Sequence, residues 1–397
     1  MGNIFYRIGI ESYYLLVWFA SFFNEKAKLW IVGRRLKPKN TEGLRNTVLI
    51  HCSSYGEYEQ ASYLIKRYSE KYPEKSILLS FFSPSGFERI DLPEYISKKI
   101  YLPKDRSSNF EYIIDEFNIK ELILVKYELW PNMLTTFSNN GVKLNLISAR
   151  FYENHYVFSS FGKWVRAILR SFDSIHLIDQ YSFRKLSDLG FTNIYLSGDT
   201  RFDRVLDVAQ TDFKIDFHFS DNKPVIVFGS VWRSDFEILE KCFKELSSIY
   251  NFVVAPHEIS KANIDYFESC FVKENISCQL KSNCNGLVDS VLIIDGIGEL
   301  RYLYRLADIS YIGGGFGSGL HNILEALVYG KPVLIGPNYQ EFPEVINAVK
   351  SKVAFPINEA SDLIEEIKLA REKTDDDEVK GFISQYTGAS DRILQSV

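Results

Sequence analysis

Short apolar runs alternate with segments of helical periodicity along most of this chain. The first series of apolar runs comprises TVLIH, SILLSFF, KKIYLP, ELILVKYELWPN, KLNLISAR, SIHLID and IYLSGDTRFD. A second series comprises VIVFGS, FVVAPH, VLIID, ISYI and KPVLIGP, and SDFEILEKCFKELSSIY within it is predicted to be one helix. Strands that alternate with helices predict parallel sheets covered by helices on both faces. The predicted fold class is therefore α/β.

A polar stretch, DVAQTDFKIDFHFSDNKP, separates the two series at about residues 205–224. It has few helical signals and ends at Pro224, which is typical of an interdomain linker. We therefore predict an N-terminal segment at residues 1–40, one domain at 41–210 and a second at 220–380. A C-terminal helix at 381–397 is expected to pack back on the first domain.

The most apolar segment of the chain, IGIESYYLLVWFASFF, lies near the N-terminus and is followed by six basic residues, Lys26, Lys28, Arg34, Arg35, Lys37 and Lys39. It contains Glu11 and is shorter than the roughly 20 apolar residues that a spanning helix needs. We predict an amphipathic or partly inserted helix on a membrane, with Trp18 and Phe19 in the apolar part and Arg34 and Arg35 near anionic head groups. A buried N-terminal helix of a soluble domain, or a single spanning helix, is the alternative.

The composition argues against some classes of function. The sequence is 46% hydrophobic and 24% charged, which is typical of a globular protein, and its net charge of -5 argues against nucleic acid as a partner. The five cysteines show no CxxC spacing. They indicate reduced thiols and neither a disulfide framework nor a zinc site.

Residues 308–343 carry the most specific pattern. The run ISYI predicts a strand, GGGFGSG follows it, and a helix is expected from near His321 to Val328, with Gly330 at its end. Glycines let a backbone approach an anion closely, and free N–H groups at a helix start favour negative charge. Glu325 could accept hydrogen bonds from a ribose diol. The alternative is that the glycines only form a tight turn and Glu325 is a solvated helix residue.

Further short motifs occur in a fixed order along nearly the whole chain. They are SSYGE, SPSG, YLP, ELWPN, SAR and GDTRFDR in the first half, and FGS, PH, GIGEL, GGG, HNILEA, GKPVLIGP and GAS in the second. On these motifs the chain resembles the Kdo transferases of Gram-negative bacteria, which transfer 3-deoxy-D-manno-oct-2-ulosonic acid (Kdo) from CMP-Kdo to a lipid A precursor. ELWPN and the combination of GGG, HN, LE, GKPV and GP carry most of the resemblance.

The resemblance implies two Rossmann-like domains that face a cleft, the B-type glycosyltransferase fold, with an acceptor domain followed by a CMP-sugar donor domain. It also implies an inverting transfer in lipopolysaccharide biosynthesis at the cytoplasmic face of the inner membrane, with no metal and no cofactor. One alternative is a glycosyltransferase or epimerase of the same fold that uses a UDP-sugar. Another is a non-catalytic two-domain protein that binds nucleotide or lipid.

By resemblance, Glu57 of SSYGE is the base that takes the proton of the attacking hydroxyl. Its position at a helix start is expected to lower its pKa, and the alternative is a carboxylate that only complements the helix dipole. The implied acceptor-binding residues are Ser83, Ser85, Gly86, Arg89 and Glu128. The implied donor-binding residues are Pro256, His257, Gly298, Glu299, Gly313, Gly314, Gly315, Asn322 and Glu325. Ser230 and Arg233, at the end of the FGS strand, are expected to face the same cleft and to bind the donor. For Arg233, the alternative is a surface arginine at the head of an amphipathic helix.

Overall fold

The computed structural model describes residues 2–35, 37–159, 162–317 and 319–397. The chain divides into two compact units, Met1–Arg204 together with Thr387–Val397, and Val205–Tyr386. Each unit has a seven-stranded sheet whose paired strands are all parallel, which confirms the predicted α/β class.

The sheet of the first unit has the strand order β3-β2-β1-β4-β5-β6-β7. Its strands are β1 (Thr47–Cys52), β2 (Ile77–Phe81), β3 (Lys98–Tyr101), β4 (Ile119–Val125), β5 (Lys143–Ala149), β6 (Ser174–Leu177) and β7 (Ile194–Leu196). The order reverses between β1 and β4, which pair in parallel from Val48 opposite Glu121 to His51 opposite Leu124. In open parallel sheets, ligand sites form outside the carboxyl ends of strands at such a reversal.

Helices cover both faces of this sheet. The helices of the first unit are α1 (Gly2–Ala20), α2 (Glu25–Val32), α3 (Tyr55–Lys71), α4 (Pro84–Arg89), α5 (Ser107–Phe117), α6 (Pro131–Asn139), α7 (Lys163–Leu169) and α8 (Gln180–Asp188), and α9 (Thr200–Gln210) begins in it. All six residues of β1 are buried, because apolar clusters pack against both of its faces. The last helix of the chain, α18 (Ala389–Leu394), packs on α3, where Tyr72 donates to the carbonyl of Val397 at 3.0 Å.

Polar contacts attach α1 to the body of the first unit. The Tyr6 hydroxyl donates to Asp105 at 2.6 Å, and Glu11 forms ion pairs with Lys104 and Arg106. The residues around the end of α1 expose large apolar side chains, Leu15, Leu16, Trp18, Phe19, Phe22 and Phe23. Within the described ranges, no helix combines the length and the apolar character that crossing a bilayer demands.

Arg34 has a structural role that differs from its predicted contact with head groups. Its guanidinium donates to the carbonyls of Leu102, Trp30 and Phe82 at 2.8, 3.1 and 2.6 Å. The same group lies 4.0 Å from the centroid of the Trp30 ring. Burial lowers the Arg34 pKa to about 10. Arg34 therefore fixes the end of α2 to the sheet, whereas Arg35 is exposed and remains a predicted head-group contact.

The main sheet of the second unit has the order β11-β13-β10-β9-β14-β15-β16, and β8 and β12 form a separate pair. The strands are β8 (His218–Phe219), β9 (Val225–Val231), β10 (Asn251–Pro256), β11 (Cys278–Leu280), β12 (Leu287–Val288), β13 (Val291–Ile293), β14 (Ile309–Ile312), β15 (Val333–Ile335) and β16 (Ala354–Pro356). The helices are α10 (Arg233–Leu239), α11 (Phe243–Leu246), α12 (Lys261–Lys273), α13 (Leu300–Leu303), α14 (Leu324–Leu327), α15 (Pro343–Lys350), α16 (Ala360–Lys373) and α17 (Asp376–Gln385). The order of this sheet reverses between β9 and β14.

Three predicted elements differ from the structure. The helix expected from His321 to Val328 is the single turn α14, and the helix expected at residues 234–250 is divided into α10, a 3-10 turn and α11. The segment predicted as a linker begins inside α9 and contains β8. The C-terminal region predicted as one helix at 381–397 is two helices, α17 and α18, and the two units divide between residues 386 and 387.

Candidate active site

Glu57 lies in the first turn of α3, directly after the carboxyl end of β1. The backbone N–H of Ser53 donates a short hydrogen bond to its carboxylate. Ser54 is the N-cap residue but makes no side-chain capping bond, so Glu57 takes part in closing this turn. The predicted position of Glu57 at the start of a helix is therefore confirmed.

The prediction that this position lowers the Glu57 pKa is wrong. Burial raises the pKa above its usual value, although the Ser53 bonds and the charge of Lys126 oppose the rise. Removing a carboxylate from water disfavours its charged form, and here that cost exceeds the gain from the helix start. A raised pKa makes Glu57 a stronger base once it is ionised.

Glu128 lies near Glu57, on the connection between β4 and α6. Burial, followed by repulsion from Glu57, raises the Glu128 pKa to about 7, and the neighbouring Trp130 and Ser53 side chains oppose the rise. Because β1 and β4 are adjacent, their carboxyl ends bring the two carboxylates together at the reversal of the strand order. The ELWPN motif thus places an acid of raised pKa beside the predicted base.

The predicted acceptor loop lies partly at this site. Ser83, the N-cap of α4, donates its backbone N–H to the carbonyl of Ser53 at 2.7 Å, and its hydroxyl accepts from the Ser85 N–H at 3.2 Å. Gly86 packs directly on the Phe81 ring, which leaves no room for a side chain. Arg89 is exposed at the opposite end of α4, away from Ser83.

The glycine loop of the second unit follows β14, at the reversal of its sheet. A side chain on Gly313 would collide with the backbone of Ser230, and a Cβ on Gly315 would lie 2.7 Å from the Gly336 backbone. Gly314 has a φ of +95°. These glycines therefore allow the backbone after β14 to pack closely on Ser230 of β9 and on Gly336 after β15. Ser318 of this loop is outside the described residues.

The carboxylate of Asp235 binds to the glycine loop, which the sequence predicted to bind an anionic group of the donor. Its fully buried carboxylate accepts from the N–H groups of Gly314 and Trp232 at 2.9 and 2.8 Å, and from the Tyr311 hydroxyl at 2.8 Å. The Gly314 N–H is thus already bonded within the protein. The helix expected from near His321, whose free N–H groups were to favour an anion, is only the single turn α14.

Three flat side chains stack near this loop. His257 stacks on Trp232 with ring centroids 4.1 Å apart and lies 4.5 Å from the His321 ring. The Trp232 indole N–H is 3.2 Å from Nε2 of His321, so this nitrogen accepts and the ring is neutral. Burial, followed by the nearby His257, lowers the His321 pKa to about 4. Of the three, the sequence singled out only His257, which is exposed.

The remaining predicted donor residues lie on other loops of the same unit. Asn322 accepts from the Leu324 N–H at 3.2 Å, which makes it a turn residue. Arg233 is held on α12, where it donates to Asn263 at 2.7 Å and lies 4.7 Å from the Tyr266 ring centroid. Glu325 lies close enough to Tyr304 to raise the pKa of that hydroxyl, although burial raises it more. Pro256 ends β10, and Gly298 and Glu299 lie between β13 and α13.

Sequence reasoning missed Asp235, Trp232 and His321. Trp232 directly follows the FGSV strand, and Asp235 comes three residues later, a spacing typical of a carboxylate in the first turn of a helix. That spacing could have identified Asp235. No signal in the sequence pairs Trp232 with His321, which is 89 residues away.

The sequence is similar to proteins of one enzyme family. Residues 29–204 match the profile of the family described as 3-deoxy-D-manno-octulosonic-acid transferase (kdotransferase). A 3-deoxy-D-manno-octulosonic acid transferase of Rickettsia felis is 27% identical over 366 residues, which cover 87% of this chain and 76% of the relative. A bifunctional glycosyltransferase/methyltransferase of Fusobacterium nucleatum is 24% identical, and the alignment covers 97% of this chain but only 61% of that longer protein.

The structure is similar to that of UDP-GlcNAc 2-epimerase from Neisseria meningitidis, with a TM-score of 0.60. That match covers 88% of this chain and 99% of the epimerase at 12% identity, so it concerns the fold alone. The resemblance drawn from the motifs is confirmed by the family profile and by relatives that span most of the chain. Residues 29–204 thus match the Kdo transferase family, and the chain is similar to Kdo transferases over most of its length.

Proposed function

We propose that this protein transfers Kdo from CMP-Kdo to a lipid A precursor, with inversion of the anomeric centre and without a metal ion. The observation that carries the proposal is the position of Glu57. It lies in the part of the chain that matches the family, at the reversal of a parallel sheet, half-buried, with its carboxylate held by the Ser53 N–H.

In this reaction, the acceptor hydroxyl oxygen bonds to the anomeric carbon of Kdo while the bond from that carbon to the CMP phosphate oxygen breaks. CMP leaves with the electron pair of the broken bond, and the hydroxyl proton passes to Glu57. A fixed general base supplies typically 10²- to 10⁴-fold of rate. Glu128 keeps its proton to higher pH than an ordinary glutamate, so at neutral pH it can still donate a hydrogen bond to the acceptor.

The second unit is proposed to bind the donor at the β9–β14 reversal. The exposed His257 side chain offers a flat ring there, close to the glycine loop. The role proposed for Glu325 with the ribose rests on the motif resemblance, whereas that for Arg233 with an anionic donor group rests on its position after β9.

The N-terminal helices are proposed to place the enzyme on the cytoplasmic face of the inner membrane. Large apolar side chains are normally buried in a globular protein, yet Leu16, Phe19 and Phe23 are 67%, 61% and 81% exposed. A contiguous exposed apolar surface with basic residues beside it is typical of a helix that lies in a membrane interface.

The test is transfer from CMP-Kdo to a tetra-acylated lipid A precursor in the presence of a chelator. Wild type and Glu70→Gln, an exposed change on the same helix, are expected to form product. Glu57→Gln is expected to lose at least about 100-fold in rate while it stays folded and binds CMP. Folded wild type that forms no product, or Glu57→Gln at the wild-type rate, would contradict the proposal, and product only with a UDP-sugar would favour the other donor class.

A further inference from the structure

A cavity of about 550 Å³ lies beside β3 in the first unit, and we call it the basic cavity. Aromatic side chains from α1, α2, β3 and α5 form part of its walls, namely Tyr14, Trp30, Tyr101 and Tyr112. Of the described residues that line it, none is acidic and six are cationic: Arg34, Arg35, Lys37, Lys98, Lys99 and Lys104. This lining favours a ligand that has both an anionic group and an apolar part.

Two of the six cations are neutralised by ion pairs. Lys98 pairs with Glu42 at 2.6 Å, and Lys104 pairs with Glu11. The other four cations form no ion pair with any carboxylate in the part of the chain that the structure describes. The basic cavity therefore carries an excess of positive charge.

The unneutralised cations are held by neutral groups. The half-buried Arg34 guanidinium donates to three backbone carbonyls, and Lys99 donates to the carbonyls of Phe87 and Ile90 at 2.6 Å each. Lys37 lies 4.5 Å from the centroid of the Tyr112 ring. Charges that leave water are normally paired with opposite charges. A bound anion would supply the counter-charge that the described chain does not.

The basic cavity is separate from the carboxylate pair. The strand β3 is the edge of its sheet, and β2 lies between it and β1. At the usual strand spacing, β3 is roughly 10 Å from β1. Neither Glu57 nor Glu128 lines the cavity. A ligand there would occupy a second site, apart from the site proposed for the transfer.

The basic cavity is next to the exposed apolar part of α1. Tyr14 lines the cavity, and Trp18 and Phe22 follow it at intervals of four residues, the spacing that places side chains on one face of a helix. The rings of Trp18 and Phe22 have centroids 5.0 Å apart and are 47% and 63% exposed. An apolar chain attached to an anion in the cavity would thus find exposed apolar side chains one helical turn away.

We infer that the basic cavity binds the phosphate head group of an anionic phospholipid, whose acyl chains extend along Trp18 and Phe22. Phosphate oxygens accept charge-assisted hydrogen bonds from arginine and lysine, and basic cavities beside membrane-bound elements suit anionic head groups. Phosphatidylcholine fits less well, because its head group carries a cation of its own. This site goes beyond the proposed function, since it fixes one lipid molecule in addition to any general attraction between the protein and a charged bilayer.

The test is binding of monomeric dihexanoylphosphatidylglycerol to the full chain, measured by calorimetry. A lipid below its micelle concentration forms no charged surface, so general attraction to a bilayer does not contribute. Lys37→Glu reverses one charge of the basic cavity, and Arg35→Glu reverses a second. Lys39→Glu is the matched control, because this exposed lysine lies two residues further along the chain and outside the cavity lining.

We expect wild type and Lys39→Glu to bind phosphatidylglycerol with equal Kd. Lys37→Glu and Arg35→Glu should each bind it at least about tenfold more weakly, with unchanged unfolding midpoints, because both side chains are exposed. Wild type should also bind dihexanoylphosphatidylcholine at least about tenfold more weakly than phosphatidylglycerol. Folded wild type that binds no phosphatidylglycerol, or equal binding by Lys37→Glu and Lys39→Glu, would overturn the inference.

Two further measurements separate the phospholipid from other phosphates. Inorganic phosphate at the same concentration should not displace phosphatidylglycerol, and displacement would mean a site for free phosphate. The acceptor KM in micelles without phospholipid should be the same for Lys37→Glu and Lys39→Glu, and a rise in Lys37→Glu alone would assign the basic cavity to the acceptor. Lipid binding is measured without donor or acceptor, so it fails or succeeds independently of Kdo transfer.

Discussion

Replacing Glu128 with glutamine tests the electrostatics of the carboxylate pair. Burial, followed by repulsion from Glu57, raises the Glu128 pKa from 4.5 to about 7 in the folded protein. In the unfolded chain, the same side chain is solvated and keeps its ordinary pKa. The folded protein therefore binds the Glu128 proton more tightly than the unfolded chain does.

This difference makes a stability contribution that depends on pH. The contribution is complete below pH 4.5 and is lost as the pH rises through about 7, because the folded state must then hold a costly charge. Each pKa unit corresponds to about 1.4 kcal/mol. The loss is about 2–3 kcal/mol after allowance for the partial exposure of the side chain.

Glu128→Gln has no proton to lose at this position. At pH 8, the variant is expected to be about 2 kcal/mol more stable than wild type, and at pH 4.5 it should be no more stable. The same change should weaken acceptor binding, since stability and activity often oppose each other at functional sites. Urea unfolding followed by tryptophan fluorescence suits the measurement, because Trp232 alone of the five tryptophans lies in the second unit.

Glu111→Gln, an exposed change on α5, is the matched control and should leave the free energy of unfolding unchanged at both pH values. The reasoning would be refuted if Glu128→Gln changed stability by the same amount at pH 4.5 and pH 8. It would also be refuted if the variant were less stable at pH 8, since that would mean the ionised carboxylate stabilises the fold. A double variant with Glu57→Gln should show a smaller gain at pH 8, because the repulsion is then already absent.

Three further predictions concern other parts of the chain. Asp235→Ala leaves the Tyr311 hydroxyl and the Gly314 N–H unpaired. We expect the free energy of unfolding in urea to fall by about 2–4 kcal/mol. We also expect weaker CMP binding, measured by calorimetry. Gly315→Ala should abolish CMP binding, because the added Cβ would collide with the backbone of Gly336. The control Gly296→Ala, whose Cβ would meet nothing within 4 Å, should bind CMP as wild type does. Equal CMP affinities of the two variants would contradict the packing argument. Lys75→Met removes the cation that lies 2.8 Å from the buried Glu121 carboxylate and is expected to lower the free energy of unfolding in urea by about 3 kcal/mol, and an unchanged value would contradict this.

Much of the architecture could be predicted because it depends on local pattern. The apolar runs of TVLIH and ISYI are β1 and β14, and Gly330 ends its helical turn with a φ of +81°. Buried parallel strands are apolar on both faces, so their positions can be read from a single sequence. The carboxylates of Glu57 and Glu128 could be chosen from motifs that follow such strands.

The sequence by itself determined the α/β class, most of the strands and the resemblance to Kdo transferases, since hydrophobic periodicity and short motifs can be read along the chain. Only the tertiary structure decided the chemistry of the chosen groups. The direction of the Glu57 pKa depends on burial by distant residues, and the use of the Gly314 N–H depends on Asp235, 79 residues away in the chain. Burial, charge and hydrogen bonding depend on distances in the folded protein and not on separation along the chain.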